Sequence, residues 1–91
     1  MFYLYRHIRL DYNEVFYIGI GTKIRKLHYN PYQRAYSRKR NMYWKAIYHK
    51  TDIKIEIILE SKEKEFIFEK EIELIQLYGR KDLGLGTLAN M

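Results

Sequence analysis

A phenol beside two glycines and a carboxylate on an apolar stripe are the features of this chain most suggestive of chemistry. The run VFYIGIGTKIR, residues 15–25, begins as an apolar strand and ends as a basic loop. Gly19 and Gly21 fall where the character changes, and Tyr17 stands two residues before the first of them. With ten tyrosines in the chain, Tyr17 is either one more packing aromatic or a hydroxyl aimed at a substrate. Glu71 is the sharper signal. Wound at about 100° per residue, the segment after Ser61 places Leu74, Ile67, Tyr78, Ile75, Phe68 and Ile72 on one arc, with Glu71 inside it between Tyr78 and Ile75. Glu65, Glu69 and Glu73 project away from its centre, and Phe66 and Leu77 lie off it. A carboxylate on a core-facing stripe is costly unless it is paired or binds a metal. Glu71 therefore reads either as half of an ion pair with an arginine or as a ligand for a hard divalent cation at the rim of a cleft.

Composition removes several alternatives. The 91 residues suffice for one small domain, 1–91, with one core. There is no cysteine, hence no thiolate nucleophile, disulfide or cysteine-bearing zinc site. His7, His28 and His49 are far apart and lack the spacing of a helical ligand pair. The most apolar uncharged run, Val15 to Gly21, is too short to span a bilayer. No secretory leader pattern opens the chain. The expectation is a soluble intracellular, cytoplasmic protein with no membrane partner.

Charge is unevenly spread. Residues 1–14 are neutral overall, residues 15–51 carry nine cations and no acid, and residues 52–91 sum to minus three. The acid-free block also holds six tyrosines and Trp44. Cations interleaved with aromatics suit a phosphate backbone beside exposed bases. The plainer reading is a solvated basic face with ordinary packing aromatics.

The elements that must position these groups can be read from periodicity. Phe2 to Leu10 alternates, with Phe2, Leu4, Ile8 and Leu10 on one face, Tyr3, Tyr5, His7 and Arg9 on a wet face, and Arg6 as the exception on the apolar side. Val15 to Ile20 is its partner strand, with Phe16, Ile18 and Ile20 opposite in direction to Tyr17. A three-residue loop, Asp11-Tyr12-Asn13, makes opposed residue numbers sum to 24, so that Tyr17 faces His7 and Tyr5 faces Gly19; Asn13 takes the left-handed position. Asn30 and Pro31 open a helix carrying Arg34 and Arg38 one turn apart. Asn41 caps a second helix with Tyr43, Trp44, Ile47 and Tyr48 on its apolar side. Ile53, Ile55, Ile57 and Leu59 form one face of a third strand. Ser61 caps the longest helix, about Lys62 to Tyr78, and Gly79 ends it. The tail is a loop. The expected fold is α/β (α+β), with a three-stranded antiparallel-type sheet flanked by helices in the order β-β-α-α-β-α.

With Tyr5, Tyr17, an arginine-bearing helix and this glutamate in place, the chain resembles the GIY-YIG nuclease superfamily along its whole length, phage and bacterial members in particular. Tyr17-Ile18-Gly19 is an intact second half-motif. Tyr3-Leu4-Tyr5 stands where glycine-isoleucine-tyrosine is usual, keeping the tyrosine and losing the glycine. The resemblance maps the family's arginine to Arg34, its metal-binding glutamate to Glu71 and its late asparagine to Asn90. Some members have a lysine where this chain has Ile20, a charge that Lys23 or Lys26 could supply; many have a histidine where it has Arg38.

What the resemblance implies is hydrolysis of DNA phosphodiesters, double-stranded DNA being the expected partner, with one Mg²⁺ or Mn²⁺ per active site. Tyr17 would activate or orient the attacking water, Tyr5 would position water and phosphate, and Arg34 would hold non-bridging oxygens bidentately. Glu71 would hold the metal. His7 takes either an accessory role or that of a hydrogen-bonded strand histidine, and Asn90 ties the tail to the core. Lys23, Arg25, Lys26, Arg38, Lys39 and Arg40 grip phosphate backbone. Cutting both strands with one site per chain calls for a homodimer or for sequential nicks. The rival reading is a catalytically degenerate nucleic-acid-binding module of the same fold, which the lost glycine and Ile20 favour. A third is a basic face for an acidic protein partner.

Overall fold

Alternating residues in the first ten positions build a central strand with both faces covered. The structure is a computed structural model that describes residues 1–90. Strands β1 (Phe2–Arg9), β2 (Glu14–Thr22) and β3 (Ile53–Ser61) form an antiparallel sheet in the order β2-β1-β3. The helices are α1 (Gln33–Tyr36), α2 (Met42–Tyr48) and α3 (Lys64–Tyr78), followed by a 3-10 turn at Lys81–Leu83. Leu4, Ile18, Leu59 and Leu88 pack against Ile67, Leu74 and Ile75 of α3 on one side of the sheet. Tyr3, Tyr5 and Ala35 of α1 form a cluster on the other side, continued by Phe16, Trp44 and Ile47. The tyrosine face expected to be wet is therefore interior: Tyr3, Tyr5 and His7 are at most 1% exposed. Arg6, on the α3 side, is held by Glu56 at 2.6 Å.

The hairpin keeps the expected register over most of its length. His7 pairs with Tyr17, Tyr5 with Gly19 and Tyr3 with Gly21. Nearer the turn the register shifts by one, so that Ile8 pairs with Val15 and Arg9 with Glu14. The connection is thus four residues, Leu10 to Asn13, where three were expected, and Asn13 takes the left-handed conformation at φ 50°. Phe16 is the extra residue of a bulge. It turns toward Trp44, away from Ile18, and Val15 takes the α3 side in its place. A second shift, between Leu4 and Tyr5 against β3, leaves Ile58 unpaired and splits the expected isoleucine face: Ile53, Ile55 and Ile57 join the tyrosine side, Leu59 the α3 side. Each bulge lets one strand feed two cores, which a sheet covered on both faces requires.

The first helix is shorter than its pattern implied. It is a single turn, and Ser37 leaves it with ψ 139°, so Arg38 does not share a helical face with Arg34. The physical reason is Arg40, whose Nε donates to the Ser37 carbonyl at 3.0 Å and whose Nη2 donates to the Arg34 carbonyl. These bonds satisfy acceptors that a longer helix would have used itself. Asn41 caps α2 as expected, accepting from the Trp44 amide at 2.9 Å, but Tyr43 is exposed. Helix α3 starts at Lys64, two residues later than Lys62, because Ser61 accepts from the Glu63 amide in the turn before it. Gly79, at φ 77°, ends it. Phe68 and Ile72, at the edge of the expected core arc, are exposed.

The tail lies along the outer edge of β2. The Ala89 amide donates to the Phe16 carbonyl at 2.6 Å, Thr87 Oγ1 donates to the Val15 carbonyl at 2.8 Å, and Asn41 Nδ2 donates to the Ala89 carbonyl at 2.7 Å. An edge strand left bare would expose unpaired amides and carbonyls. Among the described residues no helix is long and apolar enough to cross a membrane.

Candidate active site

The four residues singled out for chemistry line one cavity together with Asn90, the residue expected to tie the tail to the core. Tyr5, Tyr17, Arg34, Glu71 and Asn90 surround a space of about 380 Å³ that also receives Ile20 and Arg80. It opens at the edge of the sheet, where residues 18–20 of β2 separate the tyrosine side from the α3 side. This placement lets groups from opposite faces of the sheet converge.

Glycine makes the arrangement possible. A Cβ at Gly19 would overlap Cζ and the hydroxyl of Tyr5, its partner across the ladder. The Tyr5 ring lies over bare backbone and so reaches the cavity. Gly21 does the same for Tyr3, whose buried ring packs edge-on to Tyr32 at 5.1 Å. The rings of Tyr5 and Tyr17 are nearly parallel, 6.3 Å apart.

The two phenols differ in what holds them. The Tyr5 hydroxyl accepts a hydrogen bond from Arg40 Nη1 at 2.7 Å. Burial pushes the Tyr5 phenol pKa up, and the adjacent Arg40 opposes this. Tyr17 is half-buried, and its hydroxyl bonds to no other described residue. The Arg40 guanidinium lies 4.9 Å from the Tyr17 ring centre and 5.3 Å from that of Tyr5. Arg40 thus belongs to the site's frame rather than to a free phosphate-gripping surface.

Neither the Glu71 carboxylate nor the Arg34 guanidinium has a partner among the described residues. No hydrogen bond or ion pair reaches the half-buried Glu71 carboxylate from another described residue, so it is not half of a structural ion pair. Desolvation alone raises its pKa. Arg34 is exposed and makes no ion pair with a described residue. Among the described residues no group of three or more histidine, aspartate or glutamate side chains could enclose a metal ion. A single half-buried carboxylate with vacant lone pairs nevertheless fits a hard cation that takes its other oxygens from water and phosphate.

The remaining candidates divide clearly. Asn90 is structural: Oδ1 accepts from the Ile18 amide at 3.0 Å and Nδ2 donates to the Ile18 carbonyl at 2.6 Å. His7 is also scaffold. Its Nδ1 accepts from Trp44 Nε1 at 2.8 Å, which leaves Nε2 to donate to the Ala35 carbonyl at 2.7 Å. Burial pushes its pKa down to about 4, against the pull of the Ala35 carbonyl. Lys23 pairs with Glu60 at 3.3 Å and Lys26 lies over Tyr29, so neither brings the cavity the charge missing at Ile20. Arg80 brings a cation there instead. Its sequence signal was only its place after the helix-ending Gly79. Arg38 lies over Tyr48, while Arg25 and Lys39 are exposed on the basic surface.

No protein-family model, curated protein or solved structure matches the chain.

Proposed function

We propose that the chain is a divalent-metal-dependent DNA endonuclease of the GIY-YIG type that hydrolyses phosphodiester bonds with Mg²⁺ or Mn²⁺. The observation that carries this reading is the meeting, in one cavity, of a phenol, an arginine and a half-buried carboxylate whose polar groups find no side-chain hydrogen bond or ion pair among the described residues. A site built only for stability would pair the last two with each other.

Each group has a task in phosphodiester hydrolysis. Arg34 presents a planar fork that matches two non-bridging oxygens and offsets their growing negative charge. The free Tyr17 hydroxyl orients the attacking water and, when ionised, takes its proton. Tyr5 accepts from Arg40, so its own hydrogen is left to donate toward water or phosphate in the cavity. Glu71 would hold the metal, which when bound supplies positive charge for the phosphoryl and leaving oxygens. The acid-free block around Arg34 supplies the field that gathers a polyanion.

The second reading is a binding module that no longer cuts. Ile20 supports it, since an apolar side chain lines the cavity where a cation would serve phosphate chemistry. Nicking of supercoiled plasmid separates the two. The nuclease reading expects metal-dependent nicking by the wild type and its loss in Tyr17→Phe and Arg34→Ala, with native circular dichroism in both. Salt-sensitive plasmid binding without cutting, in either metal, supports the module.

A further inference from the structure

We propose that a second groove, sharing Arg34 with the cavity, is a subsite for an unpaired nucleotide next to the phosphate being cleaved. This rests on the nuclease reading and narrows its substrate from uniform duplex to DNA with a locally unpaired strand.

The groove has a volume of about 670 Å³ and lies between the end of β2, the loop that follows it and α1. That is a size at which proteins bind small molecules. Its charge is one-sided: Arg34 and Lys39 line it, neither makes an ion pair with a described residue, and no acidic side chain contributes. Cations alone would suit any phosphate. Three other lining groups are more specific. Tyr36 is 53% exposed, so an aromatic face is left for a ring to stack on. Ile24 adds apolar surface beside it. The Gln33 amide, with a donor and an acceptor, makes no hydrogen bond to another described residue. Asn30 uses its Oδ1 to accept from the Tyr32 amide and keeps its Nδ2 donor.

A cation for the phosphate, an aromatic face for the base and free amide groups for the base edge are the contacts that single-stranded nucleic acid recruits. A base inside a duplex cannot use them, because its faces are covered by stacked neighbours and its pairing edge is taken by its partner. Arg34 joins the two spaces. With its guanidinium on the phosphate at the cavity, the adjoining nucleotide is carried into the groove.

The test is binding, measured by fluorescence anisotropy in chelator so that cutting plays no part. The probes are a short labelled single-stranded oligodeoxynucleotide and a blunt duplex of the same sequence. Tyr36→Ala is expected to weaken single-strand binding by about 5- to 150-fold, the range one base–aromatic stack supplies, and to leave duplex binding unchanged. Tyr36→Phe is expected to keep wild-type affinity, and Gln33→Ala to weaken single-strand binding. Tyr36 is on the surface, so thermal melts should match the wild type. The subsite is overturned if the wild type does not bind the single strand. It is also overturned if Tyr36→Ala leaves that affinity unchanged or weakens both probes equally. Absence of plasmid nicking, with these binding results intact, would remove the nuclease reading and leave the groove as a single-strand site.

Discussion

Arg40 holds Tyr5 by its hydroxyl, donating to it at 2.7 Å with the guanidinium 5.3 Å from the ring centre. The same guanidinium bonds the carbonyls of Arg34 and Ser37. One side chain therefore joins the central strand to the helix that carries Arg34. Arg40→Ala is expected to cost about 1–3 kcal/mol of stability and to lower the nicking rate more than it lowers DNA affinity. Urea unfolding, nicking and anisotropy check this together. If Arg40→Lys restores full nicking, charge alone suffices and the fork geometry is irrelevant.

Gly19→Ala is expected to fail for steric reasons. The new methyl meets a Tyr5 ring that is itself fully buried and cannot swing aside. Overpacking of this kind costs about 1–3 kcal/mol, and the displaced hydroxyl should reduce cleavage as well. A variant with wild-type melting and activity would mean that the ring can move.

His7 gives stability a sign with pH. Its folded pKa, about 4, lies below the ordinary 6.5, so the unfolded chain binds its proton more readily. The contribution is full above about 6.5 and is lost as pH falls through about 4, on the order of 3 kcal/mol in all. Urea unfolding at pH 7 and pH 4.5 should show this loss. In His7→Gln the loss should shrink; an unchanged slope would assign it to other groups.

Glu71 has the opposite sign. Burial raises its pKa, so its contribution is present below the ordinary carboxylate range and lost as pH rises through the folded value. Glu71→Gln should therefore melt higher than wild type at pH 7. Mg²⁺ or Mn²⁺ should raise the melting temperature of the wild type and not of the variant. Equal metal responses would remove Glu71 as a ligand.

The candidate site was more legible than the frame around it. The register that sets Tyr5 against Gly19 agrees with the alternation, but the three-residue loop used to derive it is four residues, and the bulge at Phe16 restores the count. Glu71 stood out because helical winding needs no tertiary knowledge. The bulges at Phe16 and Ile58 were hidden, since strict alternation assumes one covered face and this sheet has two. Helix α1 was overestimated because its end is set by Arg40, six residues beyond Arg34. The places of Arg40 and Arg80 in the site depend on folding-back of the chain, which no residue spacing records.

The most direct test of the account is the nicking of supercoiled plasmid by wild type and Glu71→Gln, side by side, in Mg²⁺, in Mn²⁺ and in chelator. The account predicts nicking by the wild type in metal only, and none by a Glu71→Gln protein that is folded and still binds DNA. Equal nicking by both proteins, or nicking by the wild type in chelator, would contradict it.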